Sequence, residues 1–377
     1  MIYSIPYIIL VCFFGICAYI YEHFEEETHQ RNIVILTICV FFVFFGFRGY
    51  ILSDWTSYYP MFYECSSDDI TDFKIGNVEP GYILLNLICR SVFADFQFFV
   101  FVCTLINTTL LLLFLRERTK NIPLMLMLFV SFEGLIIMTN LMRNSIAILI
   151  FINSIKFIEN RKPFAYFSMC LLALSFHTSS LIYFPLYFFF HLKCNKWVYL
   201  FVFFACNFIF LYKISVFLSV ASLLGVDELF AKRIELYTED YSKVTPLSIG
   251  YLERLLTGGL IFAYFDKLKD IRKENVVFIN AIMTYFILYF FFSEFDVISK
   301  RFATLFVFGY WIIWYDLIRC FSITNNRLLF QSFIFIYCAL KMMGTCNHPD
   351  YDYDNILLGA KSYEERLYLY NKNYVGN

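Results

Sequence analysis

The sequence predicts an all-α, polytopic membrane protein of about twelve transmembrane helices (10–14), with short re-entrant or interfacial helices between them. Three observations carry this. Of 377 residues, 60% are hydrophobic and 16% charged, with a mean hydropathy of +0.64; a soluble domain is nearer half apolar and a quarter charged. Apolar runs of roughly 15 to 20 residues recur along the whole length and lack the alternation over about 10 residues that a barrel would show. No stretch between runs exceeds about 32 residues, so any chemistry falls to short loops and span ends.

In chain order, the run 2–21 has no basic n-region and no small-residue cleavage site, which makes it a retained span rather than a signal peptide. The acidic loop Glu22–Arg31 leads to a second span, 32–47, and then to a polar loop of about 48–80. The run Gly81 to Phe93 is short and contains Arg90, so it reads as interfacial or half-inserted, with a short true span as the alternative. Further spans follow at 96–115, 121–138, 143–159, 163–176, 178–192 and 197–222. After a loop of about 225–247 come 248–265, 275–293, 302–319, 327–343 and a tail, 344–377. Several of these lengths call for tilt, breaks or re-entry. With no Gly/Ser linker and no visible repeat, residues 1–377 are expected to form a single transmembrane domain.

Basic residues gather in Arg116–Lys120, Arg161-Lys162, Lys193 with Lys196, Lys267–Lys273, and Arg319 with Arg327. Twelve spans put all five clusters on one face, the cytoplasmic one by the positive-inside rule. The loops 48–80 and 225–247, the turns near 140, 177 and 297, and the tail are then expected on the outer face. A net charge of −1 argues against nucleic acid. Eight of the 12 cysteines (Cys12, Cys17, Cys39, Cys89, Cys103, Cys170, Cys206, Cys338) sit inside apolar runs, where they act as small hydrophobes. None has zinc-ligand spacing, and neither a metal site nor a cofactor is assigned. Cys65 and Cys346 are expected to form a disulfide in the oxidising compartment.

Ionisable residues at span ends are functional hypotheses by default. Arg48 ends the second span. Alone it would be a snorkelling anchor, but Asp54 and Tyr58 in the same segment point to more. Glu79-Pro80-Gly81-Tyr82 has the chemistry of a helix start and equally fixes a carboxylate at the membrane surface. Arg143 opens a span, where a cation opposes the helix dipole unless an anion such as phosphate offsets it. His177 lies in the polar sextet Ser175–Ser180 between two apolar runs, and such a break must line a cavity or be buried in protein. Glu253 and Arg254 are adjacent on a helix, point about 100° apart, and each needs a partner elsewhere. Glu294, Asp296, Lys300 and Arg301 crowd one turn, and Arg301 opens the next expected span as Arg143 does. The tail His348–Asp354 alternates acid and tyrosine and reads as a solvated segment with sugar-compatible aromatics. Arginine forks suit diphosphate, a carboxylate or imidazole suits deprotonation of a hydroxyl, aromatics suit sugar faces, and the setting suits a lipid tail. The set points to a lipid-diphosphate-linked sugar.

Four local features, in order, resemble the Wzy/EpsG-type bacterial polysaccharide polymerases. They are Arg48-Gly49 followed by Asp54-Trp55-Thr56-Ser57-Tyr58, then Glu79-Pro80-Gly81-Tyr82, then Met142-Arg143-Asn144, and then His177-Thr178-Ser179-Ser180. They cover roughly residues 40 to 190, and beyond them Arg301 and the span pattern agree. Ser53 stands where a glycine usually precedes the aspartate. The resemblance implies a GT-C-like glycosyltransferase of the bacterial inner membrane, working at its outer face. It would move a glycan from undecaprenyl diphosphate to a new lipid-linked repeat unit of O-antigen, capsule or exopolysaccharide. The implied partners are that lipid-linked oligosaccharide, the bilayer and, as an open question, a chain-length regulator. Arg143, Arg254 and Arg301, with Arg48 as a fourth, would hold diphosphate. Asp54 or His177 would be the base, with Glu79, Tyr58, Glu253 and Glu294 orienting the groups. A flippase of the same unit would instead line a mid-membrane cavity with charge and show paired halves. A membrane O-acyltransferase would want its histidine within reach of a cytoplasmic donor. An O-antigen ligase would share the donor chemistry.

Overall fold

The computed structural model describes residues 2–71, 78–214, 216 and 247–375, and forms two compact units, 1–187 with 328–377 and 188–327. Among the described residues there are helices and no strands; five helices (Ile2–His23, Glu27–Gly46, Phe96–Arg116, Ile122–Thr139, Thr324–Thr345) are long and apolar enough to cross a membrane. The protein is therefore an all-α, membrane-integral chain. Three further helices, Pro163–Leu174, Lys196–Leu211 and Asn275–Phe291, are apolar but shorter.

In the first unit α1 (Ile5–His23) and α2 (Glu27–Gly46) form an antiparallel pair. The helices α3 (Trp55–Glu64), α4 (Asp68–Thr71) and α5 (Pro80–Val92) fill the long polar loop. At 13 residues α5 is about 20 Å long, short of the ~30 Å of hydrocarbon. It buries Tyr82, Ile83, Asn86 and Cys89 on one stripe and exposes Leu84, Ile88 and Val92. Arg90, the anomaly in that run, reaches back to the open end of α3: its Nη1 donates to the Phe62 and Tyr63 carbonyls (3.1 and 2.6 Å) and Nη2 to that of Cys65 (2.7 Å). These are orphan carbonyls of the kind every helix end leaves.

The unit then runs through α6 (Phe96–Arg116), α7 (Ile122–Phe129), α8 (Leu135–Thr139), α9 (Met142–Glu159) and α10 (Pro163–Leu174). The most enclosed is α9, which packs on α6, α8 and α10 and buries nearly every residue. At its far end, opposite Arg143, Arg118 Nη2 meets Glu159 Oε2 at 2.9 Å and Lys156 meets Glu117 at 2.8 Å. The expected span 121–138 opens at Val130–Gly134, where Phe132 and Glu133 (φ 65°) leave helical geometry. A Cβ on Gly134 would strike the Phe129 carbonyl, so glycine permits that turn. The expected span 178–192 is likewise not one helix. A 3₁₀ turn, Thr178–Tyr183, gives way to the four-residue α11, Leu186–Phe189, because Pro185 removes a helical N–H and crowds the preceding turn.

In the second unit, helices α12 (Lys196–Leu211), α13 (Ile249–Ala263), α14 (Phe265–Ile271), α15 (Asn275–Phe291), α16 (Asp296–Thr304) and α17 (Phe308–Cys320) pack around α15. The expected span 302–319 is thus two helices, and the loop 225–247 and the end of 197–222 lie outside the described residues. The backbones of α17 and α15 touch at Gly309, where a Cβ would come within 2.9 Å of the Ile282 nitrogen and 3.0 Å of the Phe278 oxygen. Close approach of small residues is how membrane helices gain packing energy. Gly309→Leu is expected to cost roughly 3 kcal/mol or more through overpacking, read as loss of folded, monodisperse protein on detergent size exclusion.

From α18 (Thr324–Thr345) the chain returns to the first unit and ends in α19 (Tyr363–Val375). The acid–tyrosine tail is not a solvated strand. Tyr353 stacks on Phe44 (4.2 Å) and donates to its carbonyl at 3.1 Å, and Asn355 Nδ2 donates to Val43 O at 3.2 Å. The tail therefore caps the end of α2, with a single antiparallel bridge between Arg48 and Asn355. Cys65 and Cys346 are both free, buried thiols, which corrects the expected disulfide. Cys65 terminates α3 under Arg90, whereas Cys346 follows α18 beside Tyr7 and Tyr351.

Candidate active site

Arg143 is the first polar residue of α9, and its unfavourable place on the dipole is offset from within the chain. Its Nη1 lies 3.0 Å from Glu79 Oε2. Glu79 is buried, and its other oxygen accepts the Thr178 backbone N–H at 2.9 Å. Two residues on, Gly81 N–H donates to the Ser175 carbonyl at 2.8 Å. A Cβ on Gly81 would lie 2.7 Å from that same oxygen, so the Glu-Pro-Gly and His-Thr-Ser segments interlock only with glycine there. Gly81→Ala is expected to lower stability by roughly 1–3 kcal/mol, checked by thermal unfolding in detergent. An unchanged melting temperature would show that the interlock carries no weight.

The other motif segments join this pair. His177 Nδ1 accepts the Ser179 backbone N–H at 3.1 Å and lies 2.8 Å from Ser179 Oγ, which is 3.2 Å from Asn144 Oδ1. An amide N–H can only donate, so Nδ1 is the acceptor and the proton of the neutral ring sits on Nε2. Asn140 Oδ1, in the turn before α9, accepts the backbone N–H groups of Ser53 (3.2 Å) and Asp54 (3.0 Å). Tyr58 hydrogen-bonds Arg143, and its ring lies 6.0 Å from that of Tyr82. Burial and the Asp54 carboxylate push the Tyr58 phenol up to about 12 against the pull of Arg143, so it stays protonated. Arg143 Nε is buried with no hydrogen-bond partner among the described residues, while the side chain as a whole is 25% exposed.

Asp54, Tyr58, Glu79, Arg143 and His177 thus come together in the first unit. Arg48 does not present itself to a ligand there. It is 3% exposed, and its Nη1 donates to the Phe45 carbonyl (2.6 Å) and to Thr104 Oγ1 (3.2 Å). The remaining predicted residues belong to the second unit. Arg254 is buried, donates through Nε and Nη2 to Tyr285 Oη (3.0 and 2.7 Å) and through Nη1 to Gly250 O (2.7 Å), and lies 3.8 Å over the Tyr289 ring. Glu253 Oε1 accepts from Thr257 at 3.0 Å, and Thr257 in turn is 3.3 Å from the Trp314 indole nitrogen. Glu294 is buried and Arg301 exposed on α16. Asn144 and Ser179 lie inside the motif segments but were given no role there, and Asn140, which holds the Asp54 backbone, lies outside them. The polar turn Thr139-Asn140 between two apolar runs is the one signal that pointed to Asn140.

A cation-bearing helix N-terminus with an unpartnered donor, next to a carboxylate and a protonated phenol, can bind an anion and deprotonate a hydroxyl beside it. Comparison with curated proteins and with solved structures gives no match. The profile of the EpsG family matches residues 31–357, which include all four motif segments, the whole of the second unit and most of the first. The chain belongs to the EpsG family, and its role in general is of polysaccharide-polymerase type.

Proposed function

We propose that this protein is a membrane glycosyltransferase that joins undecaprenyl-diphosphate-linked oligosaccharide units into O-antigen, capsule or exopolysaccharide at the outer face of the bacterial inner membrane. The observation that carries the reading is Arg143, whose buried Nε–H is unpartnered while Glu79 holds only Nη1. A diphosphate oxygen at Nε would complete the fork and meet the positive end of α9. Asp54 takes the proton of the acceptor hydroxyl, that oxygen bonds to the anomeric carbon, and the carbon–oxygen bond to the diphosphate breaks. The charge left on the diphosphate is held by Arg143, with His177 Nε2–H and Tyr58 as neutral donors. The leaving group supplies the driving force, so no nucleotide enters. Within the second unit, taken by itself, the exposed Arg301 is a further proposed anion ligand, and Arg254, Glu253 and Glu294 are buried.

The test is deletion in the native host with glycan length as readout. Single repeats on the surface glycolipid support polymerase. Lipid-linked units accumulating outside with none attached mean ligase, and units trapped inside mean flippase.

A further inference from the structure

We infer that the C-terminal segment after α18 is the positioning element for Asp54, and that Arg366 is the residue through which it acts. This rests on Asp54 being the base proposed above. Arg366 is buried in a segment whose composition suits solvent. Its Nε donates to Tyr50 O at 3.0 Å, its Nη1 to Asp352 Oδ2 at 3.0 Å, and its Nη2 to the Pro349 and Asp350 carbonyls, both at 3.3 Å. The Asp350 carbonyl also accepts the Leu52 N–H at 2.8 Å. One guanidinium therefore spans both sides of the contact between the tail and the extended segment that leads to Asp54.

That segment is held in a conformation it would not keep alone. Leu52 has φ 65°, a left-handed geometry that side chains with a Cβ avoid. On its tail side Leu52 is fixed by Asp350, and on its other side Asn140 takes the next two N–H groups, those of Ser53 and Asp54. Gly49 N–H donates to Asp354 O at 3.0 Å, and a Cβ on Gly49 would overlap the Asp354 carboxylate. Farther along, Tyr363 stacks on Tyr59 at 3.7 Å, and Tyr370 packs edge-on against Trp55 at 5.8 Å. The Tyr370 phenol is pushed up by burial and by the Asp350 and Asp54 carboxylates. The backbone that carries Asp54 is thus held by two clamps, Asn140 from the α9 side and Arg366 from the tail.

The experiment uses the purified full-length chain and lipid-linked repeat units extracted from the host. Arg366→Ala is expected to lower kcat about 100-fold, as a displacement near 1 Å of a reacting group does, with donor KM within about twofold of wild type. Arg366→Lys is expected to restore part of kcat, since an ammonium keeps the charge near Asp352 but not the fork. Thiol labelling mapped by mass spectrometry reports the clamp without reference to activity. Cys346 is 0% exposed and is expected to become reactive in Arg366→Ala while Cys103 and Cys170 stay protected. Wild-type kcat in Arg366→Ala with Cys346 reactive overturns the inference. If every cysteine becomes reactive the Ala variant has unfolded, and Arg366→Lys decides: wild-type kcat with Cys346 reactive overturns the inference, and a lowered kcat with unchanged KM upholds it. Full activity of Asp54→Asn in the same assay would instead remove the base assignment on which the inference stands.

Discussion

Arg143→Lys is expected to abolish long-chain glycan in a polymerase-deleted strain while single repeat units still reach the cell surface. The lysine keeps a positive charge for Glu79, which is 2% exposed and would otherwise be a buried carboxylate without its ion partner. That loss costs on the order of 3–5 kcal/mol in buried pairs, so Arg143→Ala confounds folding with function and Arg143→Lys is the cleaner variant. A lysine is a point charge with no second arm. Engaged with Glu79, it has nothing equivalent to the unpartnered Nε–H for a leaving diphosphate. The expected fall in kcat is roughly 10²–10³-fold, the usual effect of removing one preorganised donor to a developing anion. Wild-type ladders from Arg143→Lys, with protein at wild-type abundance, would make Arg143 a structural cation.

Asp54→Asn is the second large effect, with kcat expected to fall by about 10²–10⁴. Asparagine has the same shape and keeps the backbone N–H that Asn140 accepts. The Asp54 side chain makes no capping bond to α3, so helix formation does not depend on its charge. Donor binding is expected to persist, because the anion contacts lie on Arg143 and α9. His177→Gln is expected to act more mildly than Asp54→Asn, since Nδ1 is committed to the Ser179 amide and the ring offers a proton rather than taking one. A larger loss for His177→Gln would reverse the two roles.

The all-α, membrane-integral class and the unusual span ends were legible in the sequence, because apolar length and misplaced charge are local properties. Arg143 could be recognised from its place on a helix dipole alone. That its counter-ion is Glu79, 64 residues away, could not, since a carboxylate at a helix start already has a local explanation. Arg48 shows the reverse limit: the same charge at the same kind of span end turns inward to Phe45 O and Thr104, and only packing reveals it. The breaks at Gly134 and Pro185 fell inside runs whose hydropathy is uniform, where the punctuating residue carried the signal and composition hid it. Arg366 was missed because a polar tail reads as solvated. Its bond to Tyr50 joins residues 316 apart.

The most direct measurement reconstitutes the purified protein in liposomes with extracted lipid-linked repeat units and follows polymer and released lipid diphosphate together. Wild-type protein is predicted to yield both in step, one diphosphate per bond formed, and Asp54→Asn and Arg143→Lys to yield neither while retaining the fold. Polymer formed at the wild-type rate by the double variant Asp54→Asn, Arg143→Lys would contradict the account.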